Sequence, residues 1–354
     1  MNIFEQMAAH DHEQVIAFHN NATGLRGFLA IHDTTLGPAA GGVRIWRYAS
    51  EDDALADALR LSRAMTYKAS LAELPCGGGK TTILLHRDLK RAEAFQALGA
   101  MIESLRGRYI TARDVGITDE DLAAMASATR YVARDPSPEL GDISEHTAIG
   151  VWHGMRACLD FCAIKKARVA IQGAGSVGQW LARILKKEGL ELVIADVDAA
   201  RAEAVGRECG ARVVAPETIL AIECDVLAPC ALGGVITVET AQQIRAPIVC
   251  GSANNTLASL DAGDALQSRR ILYAPDYLVN AGGLIRGIEF VLLHRPDSRL
   301  SLARIYDRAQ RVLELSAQRN ISPARIADEL AEARLKRPKH FRDLTWSESR
   351  NHPA

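Results

Sequence analysis

The sequence predicts an α/β protein of two domains. Three observations carry that expectation. The chain has 354 residues, long enough for roughly two hydrophobic cores. Short apolar runs alternate with amphipathic stretches along most of its length, the pattern of strands joined by helices. Near the middle, Arg134–Ser144 (RDPSPELGDIS) is rich in Pro, Asp, Ser and Gly, which places a linker there.

Composition narrows the function classes. The residues are 48% hydrophobic and 24% charged, with a net charge of −1, so bulk charge points to neither nucleic acid nor a membrane surface. No apolar run has the length of a membrane span, and the opening MNIFEQMAAHDH lacks the layout of a signal peptide. The seven cysteines are scattered without a Cys-x-x-Cys pair, and Cys158 and Cys162, one helical turn apart, read as two buried helix positions. The ten histidines show no metal spacing, and His10 and His12 read as a polar N-terminal helix. The expectation is a reduced, cytoplasmic protein without metal.

In the first half, Leu25–His32 reads as a strand, 33–42 (DTTLGPAAGG) as a turn-rich loop and Val43–Trp46 as another strand. Ser50, followed by Glu51, Asp52 and Asp53, opens a helix. Within Ala54–Lys68 that helix has an apolar side, Leu55, Leu59 and Met65, and polar Asp57, Arg60 and Arg63. Its end runs into the stretch KASLAELPCGGGK, where Gly77, Gly78 and Gly79 precede Lys80 and a buried strand, Thr81–Leu85. Three glycines in a row mark a place where another backbone, a ligand or a strained turn needs room. If Lys68 and Lys80 share one cleft, like-charge repulsion and shared burial depress both pKa values, which makes a base for neutral pH; a surface lysine after a turn would show the same four letters. Arg91–Leu105 reads as a helix and Tyr109–Thr111 as a strand whose exit carries Asp114. Thr118 and Asp121 form a capping-box variant for the next helix.

In the second half, a helix over Thr147–Phe161 leads to ARVAIQGAGSVG, in which the strand Arg168–Gln172 feeds Gly173-x-Gly175-x-x-Gly178 and a helix running on through Lys187. The strand Leu190–Ala195 then ends at Asp196. Strand, glycine turn, helix and terminal acid together are the Rossmann dinucleotide-binding pattern: the glycines let a pyrophosphate approach a helix N-terminus, and the acid accepts from a ribose 2′-OH. An acid there repels a 2′-phosphate, which points to NAD, with Arg201 the nearby charge of opposite sign. Further short strands are expected at Val213–Val214, Cys224–Ala228, Pro247–Cys250 and Ile271–Ala274, the last two ending in GSANN and PDYLVNAGG. Asn254, Asn255 and Asn280 there suit either turns or a ligand crevice. Helices over Leu302–Ser316 and Pro323–Leu335 close the chain, followed by a polar run from Arg337.

The succession of Gly41-Gly42, MTYK, LPCGGGK, ARDVG, GAGSVG, CDVLAPCALGG, GSANN and APDYLVNAGG resembles the leucine/phenylalanine/valine dehydrogenases of the glutamate dehydrogenase-like superfamily, from about His10 to about His340. The resemblance implies NAD-dependent, reversible oxidative deamination of an L-amino acid to a 2-oxo acid and ammonia, and the large helical surfaces add the expectation of a homo-oligomer. By motif it makes Lys68 the anchor of the substrate carboxylate, with backbone around Gly41 and Gly42. It makes Lys80 the general base that activates water, Asp114 a proton shuttle, and Asn280 a substrate-positioning group. It assigns the cofactor to Gly173, Gly175, Ser176, Val177, Gly178, Asp196, Thr147, Cys230, Ala231, Asn254, Asn255 and Asn280. The expected layout is a substrate-binding domain over 1–145, completed by 330–354, and a Rossmann domain over 146–329.

Four positions by motif, Ala40, Ala112, Leu284 and Gly287, line the side-chain pocket. Small residues at Ala40 and Gly287 deepen it relative to leucine-type relatives, which favours an aromatic substrate such as phenylalanine or tryptophan, unless Leu284, Trp46 or Trp152 refills the space. Arg113 (where relatives commonly carry an acid), Glu145, His146 and Thr82 depart from the family pattern. Two rivals remain. A 2-hydroxy-acid dehydrogenase would need a histidine paired with a carboxylate, for which only His146 and His153 lie nearby. An NAD-binding sensor would have no use for Lys68, Lys80 and Asp114 together.

Overall fold

The computed structural model describes residues 2–133 and 140–336. Its first half contains α1 (Ile3–Ala9), β1 (Gln14–Asn20), β2 (Leu25–Asp33), β3 (Ala39–Trp46), α2 (Glu51–Leu71), β4 (Gly77–Leu84), α3 (Arg91–Ser104), β5 (Tyr109–Arg113) and α4 (Asp119–Ala126). The strands form one mixed sheet in the order β1-β2-β4-β3-β5, antiparallel from β1 to β4 and parallel across β4, β3 and β5. On one side, Phe95, Leu98 and Ile102 of α3 and Leu122 and Met125 of α4 join Leu29, Ile31, Val43 and Ile83 in a core. On the other lies α2, 21 residues long, through Ala54, Leu55, Ala58 and Leu59. Ser50 caps α2 by accepting from the Asp53 N–H at 3.1 Å, and Thr118 and Asp121 make the reciprocal capping box of α4.

The second half runs α5 (Ile143–Phe161), β6 (Arg168–Gln172), α6 (Ser176–Lys187), β7 (Glu191–Ala195), α7 (Ala199–Cys209), β8 (Arg212–Val213), β9 (Val226–Pro229), α8 (Val238–Ala241), β10 (Ile248–Val249), α9 (Leu260–Ser268) and β11 (Leu272–Tyr273). Four helices follow: α10 (Asp276–Val279), α11 (Gly282–Val291), α12 (Arg299–Arg319) and α13 (Pro323–Leu335). The six strands are parallel, in the order β11-β10-β9-β6-β7-β8. That is the doubly wound arrangement, with its switch point between β6 and β9. The fold is thus α/β with two domains. α13 returns to the first half, where Tyr67 donates to Glu332 at 2.7 Å and Ser70 to the Ala331 carbonyl at 2.8 Å.

Several sequence expectations need correction. The triple glycine forms the first three residues of the fully buried β4, which starts four residues before the expected Thr81. Gly78 is there because a Cβ would overlap the Thr66 N and Ser62 O of α2, so the room is needed by another backbone. Ala39–Gly42 likewise belong to β3 rather than to the preceding loop, because β4 and β5 pair with them on both sides. Helix α5 starts at Ile143, four residues before the expected Thr147, because Asp142 caps it by accepting from the Ser144 N–H at 2.7 Å. The early part of the expected linker, residues 134–139, and the polar run from Arg337 lie outside the described residues. His10 and His12 follow α1 rather than forming it, and His12 is buried with Nε2 2.9 Å from the Leu59 carbonyl. Cys162 is the half-buried C-cap of α5; only Cys158 is a buried helix position. Among the described residues no helix is long and apolar enough to cross a membrane, and no group of His, Cys, Asp and Glu is placed to hold a metal.

Candidate active site

The site grows from the C-terminal ends of β3 and β5, the middle of β4 and the last turn of α2. Lys80 points from β4, 5% exposed, and its Nζ lies 2.7 Å from Oδ2 of Asp114, the residue that follows β5. Burial pushes the Lys80 pKa down and the Asp114 carboxylate opposes that push, but the shift remains downward. Burial alone would raise the Asp114 pKa; the charges of Lys80 and then Arg44 outweigh it and hold the carboxylate below its ordinary range.

Lys68, in the last turn of α2, reaches across to the other half of the chain, where its Nζ donates to Asn254 Oδ1 at 2.9 Å. The same oxygen accepts from Asn280 Nδ2 at 3.1 Å, and Asn280 Nδ2 also donates to the Ser252 carbonyl at 3.1 Å. The Asn280 Oδ1 is buried with no protein donor. Burial draws the Lys68 pKa down to about 8, against Asp276, which raises it, with Lys80 adding a smaller push downward. The anticipated mutual depression of the two lysines is therefore mainly burial of each, with their repulsion secondary for Lys68. Asn255, by contrast, has φ +52° and accepts from the Gly234 N–H through its backbone carbonyl at 2.7 Å, so the tertiary structure gives it a turn.

The third cluster sits at the switch point of the parallel sheet. Gly173 has φ +105°, a backbone few side chains tolerate, and its missing Cβ would press on Cys230 and Ala231. A Cβ at Gly178 would overlap the Gly173 carbonyl, so this glycine sets the close approach of α6 to its strand. At Gly175, the N-cap of α6, a Cβ would meet nothing within 4 Å, and no side chain caps the helix. The free N–H groups of Ser176 and Val177 in that first turn, beside open space, fit a dinucleotide pyrophosphate. Asp196 stands at the end of β7 with its side chain 6% exposed; it accepts from Ala174 N at 2.7 Å and Asp198 N at 2.8 Å. Arg201 approaches it at 3.6 Å while bonding Asp198 at 3.1 Å. Thr147, on α5, bonds the Ile143 carbonyl and stands against Gly283 at the start of α11.

The pocket positions fall together in part. Ala40 is buried with Ala281, Ile285 and Ile288, and Leu284 and Ile149 pack on the same cluster. Gly287 faces open space, and neither Trp46 (56% exposed) nor Trp152 (packed against the core of the second sheet) belongs to this cluster. Gly41 and Gly42 lie in β3 between β4 and β5, with Gly42 opposite Ala112 and, at a Cβ position, against Asp114. Of the departures, Arg113 pairs with Asp119, Thr82 donates to the Ala54 carbonyl at 3.0 Å, and His146 bonds the Asp142 carbonyl at 2.7 Å, so each has a local role.

Two sets of residues escaped the sequence reading. Asp276, buried beside Lys68, accepts from the Thr256 N–H at 2.5 Å, and its burial raises its pKa. Arg44 donates through Nε to Asp114 Oδ2 at 2.8 Å and through Nη1 to Asp57 Oδ2 at 3.0 Å. A charged residue inside the otherwise buried run GGVRI was the available signal.

Residues 12–131 match the family described as Glu/Leu/Phe/Val dehydrogenase, dimerisation domain, and residues 200–289 match the glutamate/leucine/phenylalanine/valine dehydrogenase family. The chain is 41% identical to a leucine dehydrogenase of Thermoactinomyces intermedius over 99% of its own length and 98% of that protein's. It is 40% identical to a phenylalanine dehydrogenase of the same organism over the same shares. The crystal structure of L-tryptophan dehydrogenase from Nostoc punctiforme superposes with a TM-score of 0.81 at 37% identity, covering 94% of this chain and 98% of that one. With both halves of the chain matched and relatives about 40% identical over nearly its whole length, this protein is an amino-acid dehydrogenase and a member of the glutamate/leucine/phenylalanine/valine dehydrogenase family.

Proposed function

We propose that the chain catalyses reversible, NAD-dependent oxidative deamination of an apolar or aromatic L-amino acid. Amino acid, water and NAD⁺ enter, and 2-oxo acid, ammonium, NADH and a proton leave. The observation that carries the reading is the pair of buried Lys80 and half-buried Asp114 at 2.7 Å, in the cleft that Lys68 spans. Lys68 is the cation for the substrate carboxylate, which would take the place of Asn254 Oδ1 as its acceptor, with Gly41, Gly42 and Asn280 shaping the same end of the site. Lys80, its pKa lowered by burial, takes the proton of the water that adds to the substrate imine. Asp114, held ionised, exchanges protons with the substrate amino group and returns them through Lys80. A nicotinamide cofactor supplies the hydride acceptor. Gly173, Gly175, Ser176, Val177 and Gly178, with Asp196, Cys230, Ala231 and Thr147, would hold it, Asp196 favouring NAD by repelling a 2′-phosphate.

The open space at Gly287 and the small Ala40, with Ala112 and Leu284, support a deep side-chain pocket and hence phenylalanine or tryptophan over leucine. Among the described residues no strand pairs with the outer edge of β1, which supports a homo-oligomer. NADH formation followed across all L-amino acids at alkaline pH tests the reaction. Turnover on a few apolar or aromatic amino acids, falling about 10²- to 10⁴-fold in Lys80→Ala, is the expected result. Tight NADH binding without turnover on any amino acid would overturn it in favour of a cofactor-binding sensor. Higher kcat/KM for leucine and valine than for the aromatic amino acids would overturn the substrate assignment alone.

A further inference from the structure

Behind the Lys80–Asp114 pair lies a chain of polar contacts that the reaction as described does not use. Asp114 Oδ2 accepts from Lys80 at 2.7 Å and from Arg44 Nε at 2.8 Å, so one carboxylate oxygen is shared by two cations. Arg44 is itself held by Asp57, whose Oδ2 accepts from Arg44 Nη1 at 3.0 Å and from the Tyr48 hydroxyl at 2.8 Å, while Oδ1 accepts from Arg60 at 2.7 Å. Asp57 and Lys68 lie on the same helix, α2, so one rigid element supports both the Lys80–Asp114 pair and the carboxylate anchor. Arg44 comes from β3, two residues after Gly42, and its guanidinium reaches past the end of β5 to Asp114.

We propose that Arg44 is a positioning residue for the deamination, orienting Asp114 toward Lys80, with Asp57 and Tyr48 holding Arg44 in turn. The inference rests on the roles proposed above for Lys80 and Asp114. A planar guanidinium presents donors in a fixed fork, so anchoring one side on Asp57 fixes where the other side holds Asp114. Its charge also acts on both members of the pair in one direction: it keeps Asp114 ionised and opposes the ammonium form of Lys80. The groups that face this pair are Asp57 and Lys68 from α2, Arg44 from β3, Tyr48 after it, and Tyr109 from β5, with Arg60 acting through Asp57 and Asp276 through Lys68. Among them Arg44 is the cation bonded to Asp114 besides Lys80.

The test is the pH dependence of kcat/KM for Arg44→Met, Arg44→Lys and Asp57→Asn, beside Lys80→Ala and Asp114→Asn, in the full-length protein with NAD and the best amino acid. For Arg44→Met the alkaline-going rise in activity should move up by about one pH unit, because an opposite charge has left Asp114 and a like charge has left Lys80. At neutral pH activity should fall at least about tenfold and recover in part at higher pH. Arg44→Lys should lie between, since it keeps the charge but loses the fork, whereas Asp57→Asn loosens Arg44 while removing a carboxylate that raises the Lys80 pKa, so it should lower kcat at every pH without moving the profile up. NADH affinity and the unfolding midpoint report whether each variant is folded. An unshifted pH profile in folded Arg44→Met, or an unchanged kcat in folded Asp57→Asn if Arg44→Met does not fold, overturns the inference while leaving the reaction standing. Full activity in Lys80→Ala and Asp114→Asn would instead overturn the catalytic reading on which it depends.

Discussion

Two glycine-rich segments shape the site, and they use glycine in opposite ways. In the first sheet, a Cβ at Gly78 would overlap the backbone of α2, so glycine there brings protein against protein. In the second, a Cβ at Gly175 would touch nothing within 4 Å, so glycine there leaves room at the bare N-terminus of α6. The letters are alike; the surroundings differ. The first arrangement makes Lys80 rigid, because β4 is pinned between α2 and its neighbouring strands. The second leaves unsatisfied N–H groups facing open space, which is how a fold prepares for a phosphate. A run of glycines therefore indicates close approach, and only the structure tells whether the approaching partner is internal.

This contrast can be broken experimentally. The largest effect is expected for Gly78→Ala, where the obstructing atoms are backbone that cannot rotate away: a loss of about 3 kcal/mol or more in urea unfolding, or no folded protein. An unchanged midpoint would show that α2 can retreat from β4. The packing of α2 should also carry a pH signature. His32, buried under α2 with Nδ1 2.9 Å from the Thr66 hydroxyl, has its pKa lowered from 6.5 to about 4 by burial, with His12, Arg63 and His10 adding like charge. Between those values the unfolded chain binds more protons than the folded one. Stability should thus fall as pH drops from about 6.5 toward about 4, by up to about 3 kcal/mol, and His32→Gln should flatten that slope.

Gly175→Ala sharpens the other side of the comparison. It should leave the unfolding midpoint nearly unchanged while raising the NADH dissociation constant about tenfold, since the added methyl occupies space meant for a ligand. Unaltered NADH affinity would remove the glycine turn from the cofactor site. The smallest effects are expected at two exposed helix caps, Ser50→Ala on α2 and Asp198→Ala on α7, each costing about 1 kcal/mol. Similar losses at the two would show that the halves differ in how they use close approach and not in how their helices begin.

Much of this was legible beforehand. Pro323–Leu335 is helical as read, the strand Arg168–Gln172 precedes the glycine turn, and the capping box at Thr118 and Asp121 forms, because caps and periodicity are local signals. Lys80 and Asp114 were singled out from separate motifs, and the fold places them in contact. Less legible was where a glycine run becomes strand. Gly77–Gly79 and Ala39–Gly42 look like loops in one dimension, since their strand conformation comes from neighbours on both sides rather than from their own propensity.

By itself the sequence determined the strands and helices around the two glycine segments, the dinucleotide-type second half and the residue types around which a deamination site can form, while β1 went unread. These depend on spacings of a few residues, which chain geometry translates directly into faces, caps and turns. Only the tertiary structure decided that Arg44 reaches Asp114, 70 residues on, and that Lys68 meets Asn254, 186 residues on. It also decided that burial sets the lysine pKa values more than their mutual repulsion does. Such contacts leave no periodic trace, because electrostatics acts through distance in space, and that distance exists only once both sheets have closed around the cleft.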